Sequence, residues 1–170
     1  MACRRTSAHA STSISARRSS QNGHPRTVAR ANRHGNVLVD SGAWIALFSA
    51  RDQHHAEADE LFRKAVRERT PLLTTSLVLA EVHRLLLFRT GIHAAATALD
   101  RIEASSIVRI VFPTASHHTA ARAWISRLSD QRITYTDAVS FAVVESAPCI
   151  GVLGFDRDFS FAGIPFWGRA

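Results

Sequence analysis

Hydrophobic positions change period several times along the chain, and the changes mark out short strands and longer helices. Asn36-Val-Leu-Val-Asp40 is an apolar run that ends on an acid, the pattern of a buried strand reaching its carboxyl edge. Ser41-Gly42 then lead into a short apolar helix, Ala43 to Phe48. Between His54 and Arg69, Ala58, Leu61, Phe62 and Ala65 recur at spacings of three and four, which places them on one helical face. Pro71–Thr74 reads as a second strand. Thr75 or Ser76 caps a helix over Leu77–Arg89, and Gly91 lies where that helix stops. His93–Ala104 continues as another helix. Ile107–Phe112 is a β-branched third strand ended by Pro113. Thr114 caps a long helix to about Ser129, and Thr136 caps a further one, Asp137–Ser146. Cys149–Leu153 is a fourth strand, and Ile164–Trp167 a marginal fifth.

Strands that alternate with helices must run parallel, because the helices are the crossovers that parallel strands need. The order predicts an α/β fold: three layers, α/β/α, around a central, mostly parallel sheet of four to five strands. In such sheets ligands bind beyond the carboxyl ends of the strands. That edge is where chemistry is expected.

Composition narrows the picture further. A chain of 170 residues with 46% apolar and 21% charged residues has the balance of a single globular domain. Its apolar runs are all too short for a spanning helix, so no membrane partner is expected. Two cysteines, Cys3 and Cys149, make no disulfide framework or zinc site, and a reduced, cytoplasmic compartment is expected. The net charge of +7 has one source. The first 35 residues hold seven arginines and no acid, whereas residues 36–170 carry 14 basic and 14 acidic residues. The charge excess therefore says little about the folded portion. Residues 1–35 are poor in large apolar side chains and are expected to form a disordered basic tail. A transit peptide and a phosphate-gripping arm are alternatives for it.

Four acids gather at the expected edge. Asp40 follows the first strand, and Asp156 follows the fourth within three residues. Asp137 sits in the first turn of its helix, and Glu81 in the second turn of the helix entered from strand two. Taken singly, Asp40 or Asp156 suits a solvated loop and Asp137 a helix N-terminus, while Glu81 could pair with Arg84. Together they pose a problem, since two such charges about 4 Å apart repel by roughly 4 kcal/mol at an effective dielectric near 20. A hard divalent cation relieves that repulsion, and oxygen donors suit Mg²⁺ or Mn²⁺.

Four segments, Val39-Asp40-Ser41, Leu79-Ala80-Glu81-Val82, Tyr135-Thr136-Asp137-Ala138 and Phe155-Asp156-Arg157-Asp158-Phe159, resemble the PIN domain, and specifically VapC-type toxin ribonucleases. His54-His55-Ala56 and Ala162-Gly163-Ile164 are further points of similarity, and the resemblance covers residues 36–170. Gly42 and Gly154-Phe155 depart from the family pattern, and the second departure leaves Asp158 as an alternative to Asp156. The resemblance implies a PIN-like nuclease domain over residues 36–170, with Mg²⁺- or Mn²⁺-dependent endoribonuclease activity on RNA. It also implies a cognate antitoxin and a homodimer. In that scheme Asp40 and Asp137 hold the principal ion, Asp156 and Glu81 complete the catalytic set, and the hydroxyls of Ser41 and Thr136 orient the carboxylates. A catalytically inactive PIN-like module that binds RNA or protein is the alternative.

Other acid-bearing α/β proteins match less well. A haloacid-dehalogenase-type phosphatase needs a second Asp two residues after Asp40, where Gly42 stands. A receiver domain needs a lysine late in the sheet, and the single lysine is Lys64 on an early helix. Arg51, Arg84, Arg89 and Arg157 are candidate phosphate contacts, with Arg157 expected to be engaged by its flanking acids. His54, His55, His117 and His118 are expected on helix surfaces away from the acids, and Trp44 and Trp167 in the core. The run Leu85-Leu86-Leu87-Phe88 suits either deep burial or a dimer interface.

Overall fold

The computed structural model describes residues 35–169, so the expectation of a disordered tail over 1–35 falls, but for Gly35, outside the described residues. In chain order the elements are β1 (Asn36–Val39), α1 (Ser41–Phe48), α2 (His55–Glu68), β2 (Leu72–Thr75), α3 (Ser76–Thr90), α4 (Ile92–Glu103), β3 (Val108–Val111), α5 (Ala115–Arg127), α6 (Tyr135–Ser146), β4 (Cys149–Leu153) and α7 (Asp158–Phe161). The four strands pair in the order β3-β2-β1-β4, all parallel.

Alternation along the strands divides the interior into two cores. Val37 and Val39 point into one, with Trp44, Phe62, Val78, Val82, Leu86 and Ile102 from α1 to α4. Leu38 and Leu73 point into the other, with Trp124, Phe141 and Phe159 from α5, α6 and α7. A strand residue and its neighbour face opposite sides, so the apolar run Val-Leu-Val needs cover on both. Helices on each face provide it, completing the α/β/α layers. Trp44 belongs to the core: its indole N–H donates to Thr74 Oγ1 at 3.2 Å and its ring packs 4.7 Å from that of Phe62. No helix among the described residues is long and apolar enough to cross a membrane.

Three expectations need correction. The marginal fifth strand reduces to one parallel bridge between Val152 and Phe166, because Pro165 has no N–H to extend a ladder. The first helix begins at Ser41, two residues early, because the Asp40 side chain caps it. The helix that carries Asp137 is capped by Thr134, not Thr136.

The strand order bears directly on function. The chain starts at β1, moves outward to β2 and β3, then crosses back to place β4 on the other side of β1. The reversal opens a crevice between the carboxyl ends of β1 and β4, the usual ligand position in an open parallel sheet.

Candidate metal centre

Asp40 leaves β1 at that crevice. Its N–H donates to Leu153 O of β4 at 3.0 Å, and its Oδ2 accepts the Gly42 N–H at 3.2 Å as the cap of α1. The side chain is 4% exposed, and Oδ1 is buried with no hydrogen-bond partner. Burial pushes the carboxyl pKa up to about 7, with the charge of Asp137 and then that of Glu81 adding to it. Gly154 explains one departure from the family pattern. A Cβ there would sit 3.2 Å from Asp40 Cβ, so a larger residue would push against the buried acid.

Asp137 is the third residue of α6. Thr134 donates both its backbone N–H (3.1 Å) and its hydroxyl (2.6 Å) to Asp137 Oδ2, and Thr134 Oγ1 accepts the Asp137 N–H at 3.2 Å. This reciprocal capping box holds Oδ2 and leaves Oδ1 outside it. The signal is present in the sequence, since Thr134-Tyr-Thr-Asp137 fits the T-x-x-acid pattern. Thr136, expected as the cap and the orienting hydroxyl, lies inside the first turn instead. Burial raises the Asp137 pKa, the Thr134 bonds lower it, and Asp156 raises it. Thr134→Ala is expected to cost about 1 kcal/mol in chemical denaturation and to weaken whatever Asp137 does. Thr136→Ala is expected to stay within about 0.5 kcal/mol of the parent.

Glu81 is half-buried on α3. Its pKa is raised by burial and then by Asp137, against smaller lowering contributions from a Ser41 hydroxyl bond and from Arg84. Ser41 thus touches the acid set, and Arg84 does not neutralise Glu81. Asp156 is exposed at the mouth of the cleft, and its Oδ1 accepts the Asp158 N–H at 3.1 Å. Asp158 is itself pushed up to about 6 by partial burial, then by Asp156 and Asp137. Both candidates for the fourth acid therefore face Asp137, but only Asp156 lines the cleft beside Asp40. Arg157 makes no ion pair among the described residues, contrary to the expectation that its flanking acids engage it.

Asp137 is the hub: its charge raises Asp40, Glu81 and Asp158 alike. Among the described residues, no group of three or more His, Cys, Asp or Glu side chains is arranged to hold a metal ion as it stands. The set nevertheless fits a hard divalent cation. Every donor is a carboxylate oxygen, and the orphaned Asp40 Oδ1 is a buried anionic acceptor that costs stability until something positive meets it.

A cleft of about 320 Å³ opens beside Asp40 and Asp156 and includes Asp52, His54 and Arg89. The expectation that His54 lies away from the acids is thus corrected. The α2 stripe gives no hint of it, because His54 precedes the helix, with its backbone N–H donating to Asp52 Oδ1 at 2.9 Å and its ring stacked on Phe155. His117 and His118 belong to the α5–α6 packing, bonded to Ser146 and Tyr135. Leu86 is buried while Phe88 is 80% exposed, so the leucine run is only partly core.

The PIN domain family model matches residues 37–164. The 23S rRNA-specific endonuclease VapC20 of Mycobacterium tuberculosis is 35% identical over 127 residues, covering 75% of this chain and 94% of that protein. The crystal structure of the same organism's VapC20, described as a sarcin–ricin loop cleaving toxin, superposes with a TM-score of 0.69 at 33% identity, over 76% of this chain and 96% of that one. VapBC2 from Rickettsia felis, solved bound to a promoter DNA fragment, shares the fold at TM-score 0.52 and 14% identity, over 75% and 92% of the two chains.

Proposed function

This chain belongs to the PIN domain family, and from that premise we propose that it is the endoribonuclease toxin of a toxin–antitoxin pair, dependent on Mg²⁺ or Mn²⁺. One observation carries the reading. The charge of Asp137 couples to those of Asp40, Glu81 and Asp156 at the β1–β4 crevice, and Asp40 keeps a buried, unpartnered oxygen there. Asp40 and Asp137 are the residues that would hold the ion, with Glu81 and Asp156 completing the set. When bound, a divalent cation supplies Lewis acidity, making a water more acidic and screening the charge of a phosphodiester.

The protein's own groups do the rest. The Thr134 capping box and the Gly42 N–H lock one oxygen of Asp137 and of Asp40, so the remaining oxygens keep a set direction. Ser41 holds Glu81 in the same way. Asp156, at the exposed mouth, is placed to accept a proton from the attacking water and release it to solvent. Gly154 and the β1–β4 register keep the two loops close, which pre-organises the site before RNA arrives.

Ribosomal RNA that presents a sarcin–ricin loop is the first substrate to test, given what the similar M. tuberculosis protein is named for. The purified chain is expected to cut it with Mg²⁺ or Mn²⁺ and to stop on addition of EDTA. Cleavage that persists in EDTA would remove the metal from the reading. RNA binding without cleavage under any divalent ion would favour the inactive binding module. The same reading includes a cognate antitoxin and a homodimer, checked by co-purification with the neighbouring gene's product and by light scattering.

A further inference from the structure

The cleft beside Asp40 and Asp156 also carries one arginine, Arg89, and one imidazole, His54, with Asp52 next to the latter. Arg89 lies in the last turn of α3, two turns beyond Glu81 on the same side, with Leu85 between them. Eight residues of helix place it about 12 Å along the axis from Glu81. Arg89 is exposed and makes no ion pair or aromatic contact among the described residues. Four other arginines are engaged, Arg63 with Asp59, Arg101 over Phe48, Arg127 over Trp124 and Arg169 with Glu57; Arg157 and others share the freedom of Arg89, but Arg89 is the arginine that lines this cleft.

His54 stands on the α2 side of the same cleft and is held firmly. Its ring stacks on that of Phe155, with centroids 4.3 Å apart and planes 4° from parallel. Behind it, Glu57 approaches His54 Nδ1 at 3.8 Å and bonds Arg169 at 2.8 Å, while Arg169 covers Phe155 at 5.2 Å. The loop that bears Asp156 is thereby clamped to α2 through its neighbour Phe155, and the imidazole is presented to the cleft at a fixed angle.

A polyanionic substrate entering a cluster of carboxylates meets repulsion unless cations seat the phosphates on either side of the cut. We propose that Arg89 and His54 form a phosphate subsite in this cleft, seating an RNA phosphodiester next to the one cleaved at the acid centre. Arg89 supplies a charge-assisted, two-pronged contact. His54 Nε2 lies 3.3 Å from the Gln53 side-chain amide nitrogen; a phosphate oxygen takes that amide's place, and the ring in its Nε2–H tautomer donates to it without needing a charge. The subsite rests on the nuclease reading for its substrate, but its binding can be measured without turnover.

The test uses the full chain carrying Asp137→Asn, in Mg²⁺, with fluorescence anisotropy of a fluorescein-labelled single-stranded RNA. Adding Arg89→Gln is expected to weaken binding about tenfold and to reduce the slope of log K against log salt by about 0.7. Arg89→Lys is expected to recover most of both. His54→Phe keeps the stack on Phe155, removes the N–H, and is expected to weaken binding about fivefold. In the otherwise unaltered chain, Arg89→Gln is expected to raise KM about tenfold with much smaller change in kcat. Unchanged affinity and salt slope for Arg89→Gln would overturn the subsite. So would a loss that appears equally in Arg89→Lys and tracks a lower melting temperature, which would mark a structural role. A parent chain that cuts no RNA would sink the nuclease reading alone, because the anisotropy series decides the subsite without cleavage.

Discussion

Replacing Asp137 by Asn is expected to lower RNA cleavage at saturating Mg²⁺ by about a thousandfold or more while leaving the fold intact. The size follows from its position as hub, since one substitution removes a ligand charge and also the repulsion that raises Asp40, Glu81 and Asp158. Losing a charged donor to a catalytic cation costs several kcal/mol of transition-state stabilisation, and about 4 kcal/mol is roughly a thousandfold. The fold is spared because an asparagine carbonyl oxygen still accepts from the Thr134 N–H and hydroxyl, preserving the capping box. A single-turnover cleavage assay beside a denaturation curve checks both halves. Activity near that of the parent would remove Asp137 from the centre, and with it the case for a metal held here.

Asp40→Asn is expected to raise the melting temperature of the metal-free protein at pH 8 by about 5 °C while abolishing cleavage. The folded-state pKa of Asp40 is pushed up to about 7 from an ordinary 3.8, first by burial and then by Asp137. Between those values the native state holds a proton that the unfolded chain has lost, so stability falls as pH rises through that window. Glu81, Asp137 and Asp158 are raised as well and act in the same direction. A shift of about three pH units corresponds to roughly 4 kcal/mol above pH 7. Asparagine recovers only part of it, since its buried amide N–H groups need acceptors the site does not offer. Mg²⁺ should stabilise the parent in the same range by binding the native state, reaching about 2.7 kcal/mol at a hundred times its dissociation constant. It should do little for the variant. Melting curves from pH 5 to 8, with and without Mg²⁺, read all of this. A metal-free parent that grows more stable over that range would show that these carboxylates do not press on one another.

Much of this is legible in the sequence. The apolar runs at Asn36–Val39, Leu72–Thr75, Val108–Val111 and Cys149–Leu153 are short, β-branched and bounded by caps or breakers, so local chemistry alone marks them as strands between helices. The acids that follow two of those strands and open two of the helices were equally visible, because element boundaries are written in capping residues and position along an element is a matter of counting. Thr134 is legible too, as the start of a T-x-x-acid box, although Thr136 stands nearer to the acid in the chain.

What the chain order cannot carry is the direction in which the fourth strand returns. Only the tertiary structure places β4 beside β1 rather than beyond β3, and that choice brings Asp156 to the cleft that Asp40 and Arg89 line and stacks His54 on Phe155. The reason is physical. Strand and helix propensities act over a few residues and are encoded residue by residue, whereas the mutual pressure of charges and the stacking of rings depend on distances between segments more than a hundred residues apart. Those distances are set by how two cores close on opposite faces of one sheet, and no short-range pattern in the sequence records them.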